Sequence, residues 1–313
     1  MDWVLYIPVL ALIKVLQALP LRVVARIGRA GGALAYWLDA RHRGVALRNL
    51  EMCLGREYSR EELHGIAKEN FRRLGENYAS AVKTAAMTSE ELKPHLEFVG
   101  MEKVYPDRFG ETPPRRVVAI GHFGNFELYA RVGDYARGVK SATTYRALRQ
   151  PGLNRLMQRM RERANCLFFE RRTDAEALKA AMSTPGIMLG LLMDQHASAG
   201  GVRIPFFGKE CSTSASAAVF ALRYDCPLHT GICYRTGLAQ WRIEGEDEIP
   251  TRINGQARPI EDITLDINRA FEAAVRRDPA NWFWVHNRWK TPKTPQRSRR
   301  AKTSPAQPAE QPR

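Results

Sequence analysis

Residues 117–127 read Val-Val-Ala-Ile-Gly-His-Phe-Gly-Asn-Phe-Glu, the segment that is most informative about the fold. An unbroken apolar run that ends in glycine is typical of a strand buried on both faces, as in a parallel sheet. Asn125 suits the N-cap of a helix whose apolar positions continue from Phe126 through Leu128 and Val132. The pattern therefore predicts a strand, a turn that contains His122, and a helix.

The same alternation of strands and helices continues on both sides of this unit. We predict helices near 3–19, 23–39, 60–84, 126–136, 152–164, 174–182, 213–224 and 262–277, and strands near 117–121, 139–144, 166–170, 187–193, 228–234 and 240–245. The order predicts an α/β fold with a mixed, largely parallel sheet that helices cover on both faces.

The composition of the sequence predicts a division of the chain into three segments. Residues 23–290 are predicted to form one enlarged domain, which is mainly helical over 23–100 and α/β over 101–290. Residues 291–313 are rich in Pro, Arg, Lys, Gln and Ser, and this tail is predicted to be disordered.

Residues 1–22 form the third segment, an apolar run interrupted by few polar residues. From Trp3 to Leu21 it would extend about 28 Å as a helix, close to the ~30 Å of a bilayer core. No charged leading region or small-residue cleavage site makes it a removable signal peptide. Aromatic residues at one end and arginines at the other favour an uncleaved N-terminal anchor helix. The alternative is a buried first helix, because Pro8 and Lys14 fall within the run.

His122 and Glu127 are the residues of this stretch that suggest catalysis. In an uninterrupted helix, side chains five residues apart point about 140° away from each other, but across a turn they can meet. Glu127 would then hold the imidazole in one tautomer while His122 takes a proton. No serine or cysteine accompanies the pair, so such a base would deprotonate a substrate hydroxyl directly. The alternative is a structural or surface pair.

The charge of the chain calls for an anionic partner. Forty-eight Lys and Arg against 33 Asp and Glu give a formal +15, of which the 291–313 tail contributes +5 (six basic residues against Glu310), so the body keeps +10. Nucleic acid, phospholipid headgroups, a phosphorylated glycolipid and an acidic carrier protein all fit this charge. A solvated basic surface explains part of it.

Cysteine and histidine spacing predicts neither a disulfide framework nor a metal site. The number of cysteines is odd and none forms a Cys-x2-Cys pair, as expected of a reduced protein facing the cytoplasm. The cysteines are Cys53, Cys166, Cys211, Cys226 and Cys233. His196 could suggest zinc together with His122 and Glu127, but these residues lack compact ligand spacing.

The Gly121–Glu127 block resembles the signature of the lipid A late acyltransferases, the lauroyl and myristoyl transferases of lipopolysaccharide assembly. These belong to the wider His-x4-Asp/Glu group of glycerolipid and lysophospholipid acyltransferases. Other blocks follow in family order over roughly residues 1–290: Arg43 to Leu50, Tyr145-Arg146 followed by Asn154 and the arginines 159, 161 and 163, Met193-Asp194-Gln195, Pro205 to Gly208, and Trp282 to Lys290. One departure is Tyr145-Arg146-Ala147, where the family usually has Tyr-Arg-Pro.

The resemblance implies an enzyme that transfers a fatty acyl chain to a hydroxyl of a lipid A precursor. The donor would be acyl carrier protein or, alternatively, acyl-coenzyme A, and no cofactor or metal is required. His122 and Glu127 would be catalytic, and Arg163 or its neighbour Arg161 would bind an oxyanion or phosphate. Asp194 would orient an arginine or histidine. The further residues of the substrate site would be Gln195, Tyr145, Arg146 and Asn154.

The implied location is the inner membrane, as a peripheral or single-pass protein whose catalytic domain faces the cytoplasm. Another glycolipid or phospholipid acceptor stays open. So do two other classes of protein, an inactive membrane-surface protein and a nucleic-acid-binding protein. Trp282-Phe283-Trp284 would fill the core or border the membrane, although aromatics beside Arg288 and Lys290 can also stack nucleobases. No nucleic acid is expected, because the sequence contains no recognition-helix, RNP or zinc-finger pattern.

Overall fold

The structure is a computed structural model that describes residues 3–105, 113–198 and 200–290, with the backbone alone for residues 3–5. The predicted disorder of 291–313 lies outside the described residues. The helices are α1 Trp3–Ala18, α2 Leu21–Leu38, α3 Ala40–Leu54, α4 Arg60–Thr84, α5 Ser89–Leu92, α6 Met101–Val104, α7 Pro151–Arg161, α8 Ala175–Met182, α9 Ser216–Tyr224 and α10 Ile260–Arg277. Short 3₁₀ helices span Lys93–His95, Phe126–Asp134 and Pro279–Asn281.

Most strands join one mixed sheet. The strands are β1 Leu96–Val99, β2 Arg116–Ile120, β3 Lys140–Tyr145, β4 Cys166–Glu170, β5 Ile187–Leu192, β6 Gly201–Phe206, β7 Lys209–Ser214, β8 Leu228–Gly237, β9 Gln240–Gly245, β10 Arg252–Ile253 and β11 Gln256–Ala257. Among the described residues the main sheet has seven strands in the order β1-β9-β8-β2-β5-β3-β4. The one antiparallel pairing within it joins β8 to β9.

Strand β2 is central and buried along its whole length, as its apolar sequence predicts. Val117 and Ala119 face one core, which contains Phe271 of α10. Val118 and Ile120 face a second core that includes Leu128 of the 3₁₀ segment. The predicted mixed, largely parallel sheet with helices on both faces is therefore confirmed.

Several element predictions need correction. Helix α3 and strand β1 were not predicted, and the helix predicted near 126–136 is the 3₁₀ segment Phe126–Asp134. The helix predicted near 213–224 begins at Ser216, because residues 209–214 form β7 and pair with β6. The β6–β7 turn at Phe207-Gly208 has positive φ at both residues (53° and 67°), as a tight hairpin requires.

Helices α2 and α4 approach so closely that only glycine fits between them. A Cβ added to Gly32 would lie 2.1 Å from the carbonyl oxygen of Phe71, and one on Gly75 would lie 2.1 Å from that of Gly28. These contacts are far inside normal van der Waals distance. The glycines therefore permit the short distance between α2 and α4.

Within the described residues, no helix combines the length and apolarity needed to cross a bilayer. The single-pass form of the predicted anchor is thus not supported. Helix α1 has 16 residues, which corresponds to about 24 Å. It is tied to α4, because Lys83 Nζ donates to the backbone carbonyl of Gln17 (2.6 Å).

The aromatic segment after α10 fills the core. Trp282 and Trp284 are buried, which fits the core alternative predicted for this cluster. Asn70 Nδ2 donates to the backbone carbonyls of Ala280 (2.9 Å) and Trp282 (2.5 Å). Asn49 Nδ2 donates in the same way to the carbonyls of Trp284 and His286. Helices α3 and α4 therefore hold residues 280–286 in place.

Candidate active site

His122 lies in the turn that follows β2, at the carboxyl end of the sheet, as predicted. Its neighbours Gly121 and Gly124 allow a tight path. A Cβ on Gly121 would lie 2.6 Å from the ring of Phe123, and Gly124 has a φ of +51° beside the carbonyl of Cys233. Any other residue at these positions would push the turn away from the sheet. The glycines thus fix the position of the imidazole.

Asp194 is the carboxylate that hydrogen-bonds His122. It follows β5, which is the neighbour of β2 in the sheet, and is 1% exposed. Asp194 Oδ1 lies 2.8 Å from His122 Nδ1, and Oδ2 accepts from the backbone N–H of His122 (2.8 Å). The Trp282 indole Nε1–H also donates to Oδ2 (2.9 Å). This arrangement places the Nδ1 proton on the side of Asp194 and leaves the Nε2 lone pair to face the cavity.

The ionisation of Asp194 follows from these contacts. Burial acts to raise the pKa of the carboxyl, but the charge and hydrogen bonds of His122, together with the Trp282 indole, outweigh it and lower the pKa to about 2. Asp194 is therefore an anion throughout the neutral range, and it stabilises a protonated His122.

Glu127 has a different partner from the one predicted. Arg161 Nη2 donates to Glu127 Oε1 (2.9 Å), and Arg161 Nε lies 3.4 Å from Oε2. The prediction that Glu127 fixes the tautomer of His122 is therefore wrong as to contact, since Asp194 occupies that position. There are two reasons. The segment that begins at Phe126 is a 3₁₀ helix and not an α-helix, and Asp194 follows the adjacent strand β5 and supplies a second carboxylate.

Of the two candidate arginines, Arg161 faces the site. Its guanidinium lies 4.8 Å from the ring centroid of Phe168 and 5.6 Å from that of Tyr145. Arg163 is exposed at the surface and donates from Nη1 to the backbone carbonyl of Ala86 (2.5 Å). Arg163, which the sequence favours, is not part of the cavity lining, because α7 ends at Arg161 and Arg163 lies beyond the helix; the role of either arginine stays a prediction.

A cavity of about 620 Å³ opens at this end of the sheet. It is lined by the remaining residues of the predicted substrate site, namely Gln195, Tyr145, Arg146 and Asn154, along with His122, Glu127 and Arg161. Asn154 also shapes the rim, because its Oδ1 accepts from the backbone N–H of Leu148 (3.1 Å). The structure therefore brings these residues together, whereas their roles in catalysis stay predictions.

One part of the cavity lining, called here the apolar arm, is formed by apolar side chains of β2, β5 and α6. Its lining includes Val104, Val118, Ile120, Met188 and Leu192. Gly190 keeps the arm open, since a Cβ there would come 3.3 Å from Ile120 Cδ1. Apolar side chains beside a polar centre suit an alkyl chain.

A smaller apolar pocket of about 160 Å³ adjoins the cavity. It lies between α4, α7 and the 3₁₀ segment, and it shares Phe126, Glu127, Arg161 and Phe168 with the larger cavity. The Glu127–Arg161 pair is therefore part of both linings.

Trp282 and His286 contact the site, although neither was among the predicted site residues. Phe283 stacks on His122 with ring centroids 5.6 Å apart. His286 Nε2 accepts from the backbone N–H of His196 (3.1 Å), and burial lowers the pKa of His286 to about 4, so it is neutral. The Trp282–Trp284 cluster could have indicated the Trp282 contact from the sequence, because the N–H of a buried indole needs a hydrogen-bond acceptor. Within the described residues no group of His, Cys, Asp and Glu is suited to hold a metal ion.

A sequence model described as "Bacterial lipid A biosynthesis acyltransferase" matches residues 2–291, nearly the whole chain. The chain belongs to this family. It is accordingly an acyltransferase of lipid A biosynthesis, and the resemblance inferred from its motifs is confirmed.

Individual relatives are distant. The chain is 24% identical over 280 residues to the lipid A biosynthesis palmitoleoyltransferase of Escherichia coli, covering 87% of each chain. It is 22% identical over 294 residues to the lipid A biosynthesis lauroyltransferase of the same organism, covering 92% of each. A crystal structure of the 1-acyl-sn-glycerophosphate acyltransferase of Thermotoga maritima covers 80% of this chain and 96% of that one, at 12% identity and a TM-score of 0.35. That structural likeness is too weak to support a conclusion.

Proposed function

We propose that this enzyme transfers a fatty acyl chain from the thioester of acyl carrier protein to a hydroxyl of a lipid A precursor, with His122 as general base. The observation that supports this most is the His122–Asp194 pair at the cavity, with Nδ1 bonded to the carboxylate and Nε2 facing inward. Among the described residues, no side-chain hydroxyl or thiol hydrogen-bonds His122. The base therefore acts on a substrate hydroxyl and not on a protein nucleophile.

The reaction needs one proton to move twice. His122 Nε2 takes the proton of the acceptor hydroxyl as its oxygen attacks the thioester carbonyl, and a tetrahedral oxyanion forms. The carbon–sulfur bond then breaks, and the imidazolium returns the proton to the departing thiolate. Asp194 stabilises the imidazolium between these steps.

Arg161 is the donor proposed for the oxyanion or a substrate phosphate. Its Nε and Nη2 groups donate hydrogen bonds to the Glu127 carboxylate. Its Nη1 group makes no hydrogen bond to any described residue, so its donors are available to a substrate. Replacing Arg161 with alanine would lower kcat if it meets the oxyanion, whereas a change in KM alone would restrict it to ground-state binding.

The donor would use two surfaces. Its acyl chain fits the apolar arm, and the acidic carrier would dock on exposed arginines at the rim, such as Arg146 and Arg171. Exposed charges are screened over about 10 Å at 0.1 M salt, so KM for acyl carrier protein should rise with ionic strength. A salt-independent KM would contradict this docking mode.

The enzyme would lie on the membrane through the first two helices. Large apolar side chains are exposed on α1 and α2: Ile7, Leu12, Val15, Ile27, Leu34, Trp37 and Leu38. Such a surface next to exposed arginines suits an interface with anionic lipid. Flotation with vesicles would test this, and a Trp37→Glu, Leu38→Glu variant that floats as well as the wild type would contradict it.

His122→Ala tests the proposed function itself. Removing the general base should lower the rate of acyl transfer about 10²–10⁴-fold, measured by mass spectrometry of the acylated lipid A precursor. His42→Ala is the matched control. His42 is an exposed histidine in α3 that pairs with the N-cap residue Asp39 and does not line the cavity. Turnover by His122→Ala equal to that of the control would overturn the assignment.

A further inference from the structure

The proton-accepting nitrogen of His122 already has a hydrogen-bond partner. Gln195 Nε2 lies 3.2 Å from His122 Nε2. Because Asp194 takes the Nδ1 proton, Nε2 is the acceptor in this contact and the Gln195 amide is the donor. An imidazole nitrogen has one lone pair in the ring plane, so it accepts one such hydrogen bond at a time.

The backbone beside Gln195 is fixed. Arg288, which is 0% exposed, donates from Nη1 to the backbone carbonyl of Gln195 (2.7 Å) and from Nη2 to Thr213 Oγ1 (2.9 Å). The next backbone N–H, that of His196, donates to His286 Nε2. Any movement at Gln195 is therefore a side-chain rotation into the cavity that it lines.

We propose that Gln195 is a displaceable cap on the base, whose amide occupies the position of the acceptor hydroxyl and turns away when that hydroxyl binds. This rests on the proposed function, since it assumes that His122 receives a proton from a substrate. The exchange replaces an N–H···N hydrogen bond by an O–H···N hydrogen bond at the same lone pair. No covalent bond changes in this step.

The cap has two consequences. It holds the Nε2 lone pair in a fixed direction before substrate arrives, because the amide N–H donates to that lone pair. It also competes with the acceptor, so acceptor binding is weaker by the net value of one hydrogen bond, which corresponds to about two- to tenfold in affinity.

Gln195→Met is the first test, because methionine is of similar length and has no donor. We expect KM for the acceptor to fall about two- to tenfold with kcat little changed. A rise in KM would mean that Gln195 binds the acceptor, and a fall in kcat at constant KM would mean that it acts only in the transition state. Either result overturns the cap. Gln256→Met, on the exposed β10–β11 hairpin, is the matched control.

Gln195→Glu is the second test, and it uses the pH dependence of kcat/KM. A carboxylate facing Nε2 would favour a proton on that atom, so the acid limb of the profile should move to higher pH. Among the described residues, the titratable and charged groups around this part of the site include Asp194, the Glu127–Arg161 pair, neutral His286, His196, Arg288 and Lys290. All of them stay in place in this variant. An unmoved acid limb would show that residue 195 does not meet Nε2, which overturns the cap.

A third readout needs no substrate. Diethyl pyrocarbonate modifies unprotonated imidazole nitrogen, and mass spectrometry of the peptide that contains His122 follows the rate in the full-length protein. We expect His122 to react faster in Gln195→Met than in wild type or Gln256→Met, and equal rates would overturn the cap. If the wild type transferred no acyl group, the proposed function would fail, while this labelling would still decide whether Gln195 covers Nε2.

Discussion

Asp194→Asn is expected to leave the fold intact and to remove most of the activity. In the wild type, Oδ2 of Asp194 accepts two hydrogen bonds, from the His122 backbone N–H (2.8 Å) and from the Trp282 indole (2.9 Å). Oδ1 faces His122 Nδ1 alone. The asparagine must therefore put its carbonyl oxygen at the two-donor position, since its NH₂ group there would oppose two N–H groups.

The NH₂ group of the asparagine then faces His122 Nδ1 and turns that atom into an acceptor. The ring proton moves to Nε2, which removes the lone pair from the cavity. In serine proteases the equivalent change produces the wrong tautomer and lowers kcat about 10⁴-fold. We expect a loss of about 10³–10⁴ in kcat here.

The assay is acyl transfer at saturating donor and acceptor, with thermal unfolding as the check on folding. Glu127→Gln is the informative comparison, because it removes a carboxylate from the same cavity without touching His122. Because Arg161 loses a charged hydrogen-bond partner, kcat should fall about 10- to 100-fold, which is less than the fall expected for Asp194→Asn. A kcat of Asp194→Asn within tenfold of the wild type, or a larger loss in Glu127→Gln, would refute the assignment of Asp194 as the orienting carboxylate.

Two further predictions concern glycines. Gly32→Ala should destabilise the protein by about 1–3 kcal/mol by forcing α2 from α4, whereas exposed Gly31→Ala, with nothing within 4 Å of its added Cβ, should stabilise it by up to about 1 kcal/mol. Equal shifts in unfolding midpoint would contradict the close packing. Gly190→Ala should lower kcat/KM for long acyl donors relative to short ones by up to about tenfold, measured in a competing donor mixture. Gly65→Ala, on an open face of α4, should leave this preference unchanged, and an unchanged preference in Gly190→Ala would exclude the apolar arm as the acyl site.

The position of His122 was predictable because a buried run ending in glycine specifies both a central strand and its carboxyl end. The partner of His122 was not, because spacing along the chain cannot say which neighbouring strand supplies a carboxylate. Asp194 was correctly placed at a strand end, with an arginine or histidine as its expected partner. Only the β2–β5 pairing decides that this partner is His122.

The missed elements have weak local patterns. Strand β1 has four residues and half-exposed alternation at a sheet edge, so its pairing with β9 depends on tertiary contacts. The β6–β7 hairpin had only Gly208 as a turn signal, because Phe207 is not a usual turn residue and Pro205 interrupts the run before it. Helix α3 contains the Arg43–Leu50 block, in which the repeated arginines and Asn49 obscure the apolar face.

The anchoring of Trp282 by Asn70 sets an order of events during synthesis. Asn70 precedes the Trp282 carbonyl it binds by 212 residues, and Asp194 precedes the Trp282 indole by 88. At roughly 5–20 residues per second, the ribosome completes Asp194 about 4–18 s before the tryptophan that holds it. The nascent chain therefore contains His122 and Asp194 well before the Trp282 segment that holds Asp194 in place. The contacts that surround His122 are therefore among the last that this protein can form as it is made.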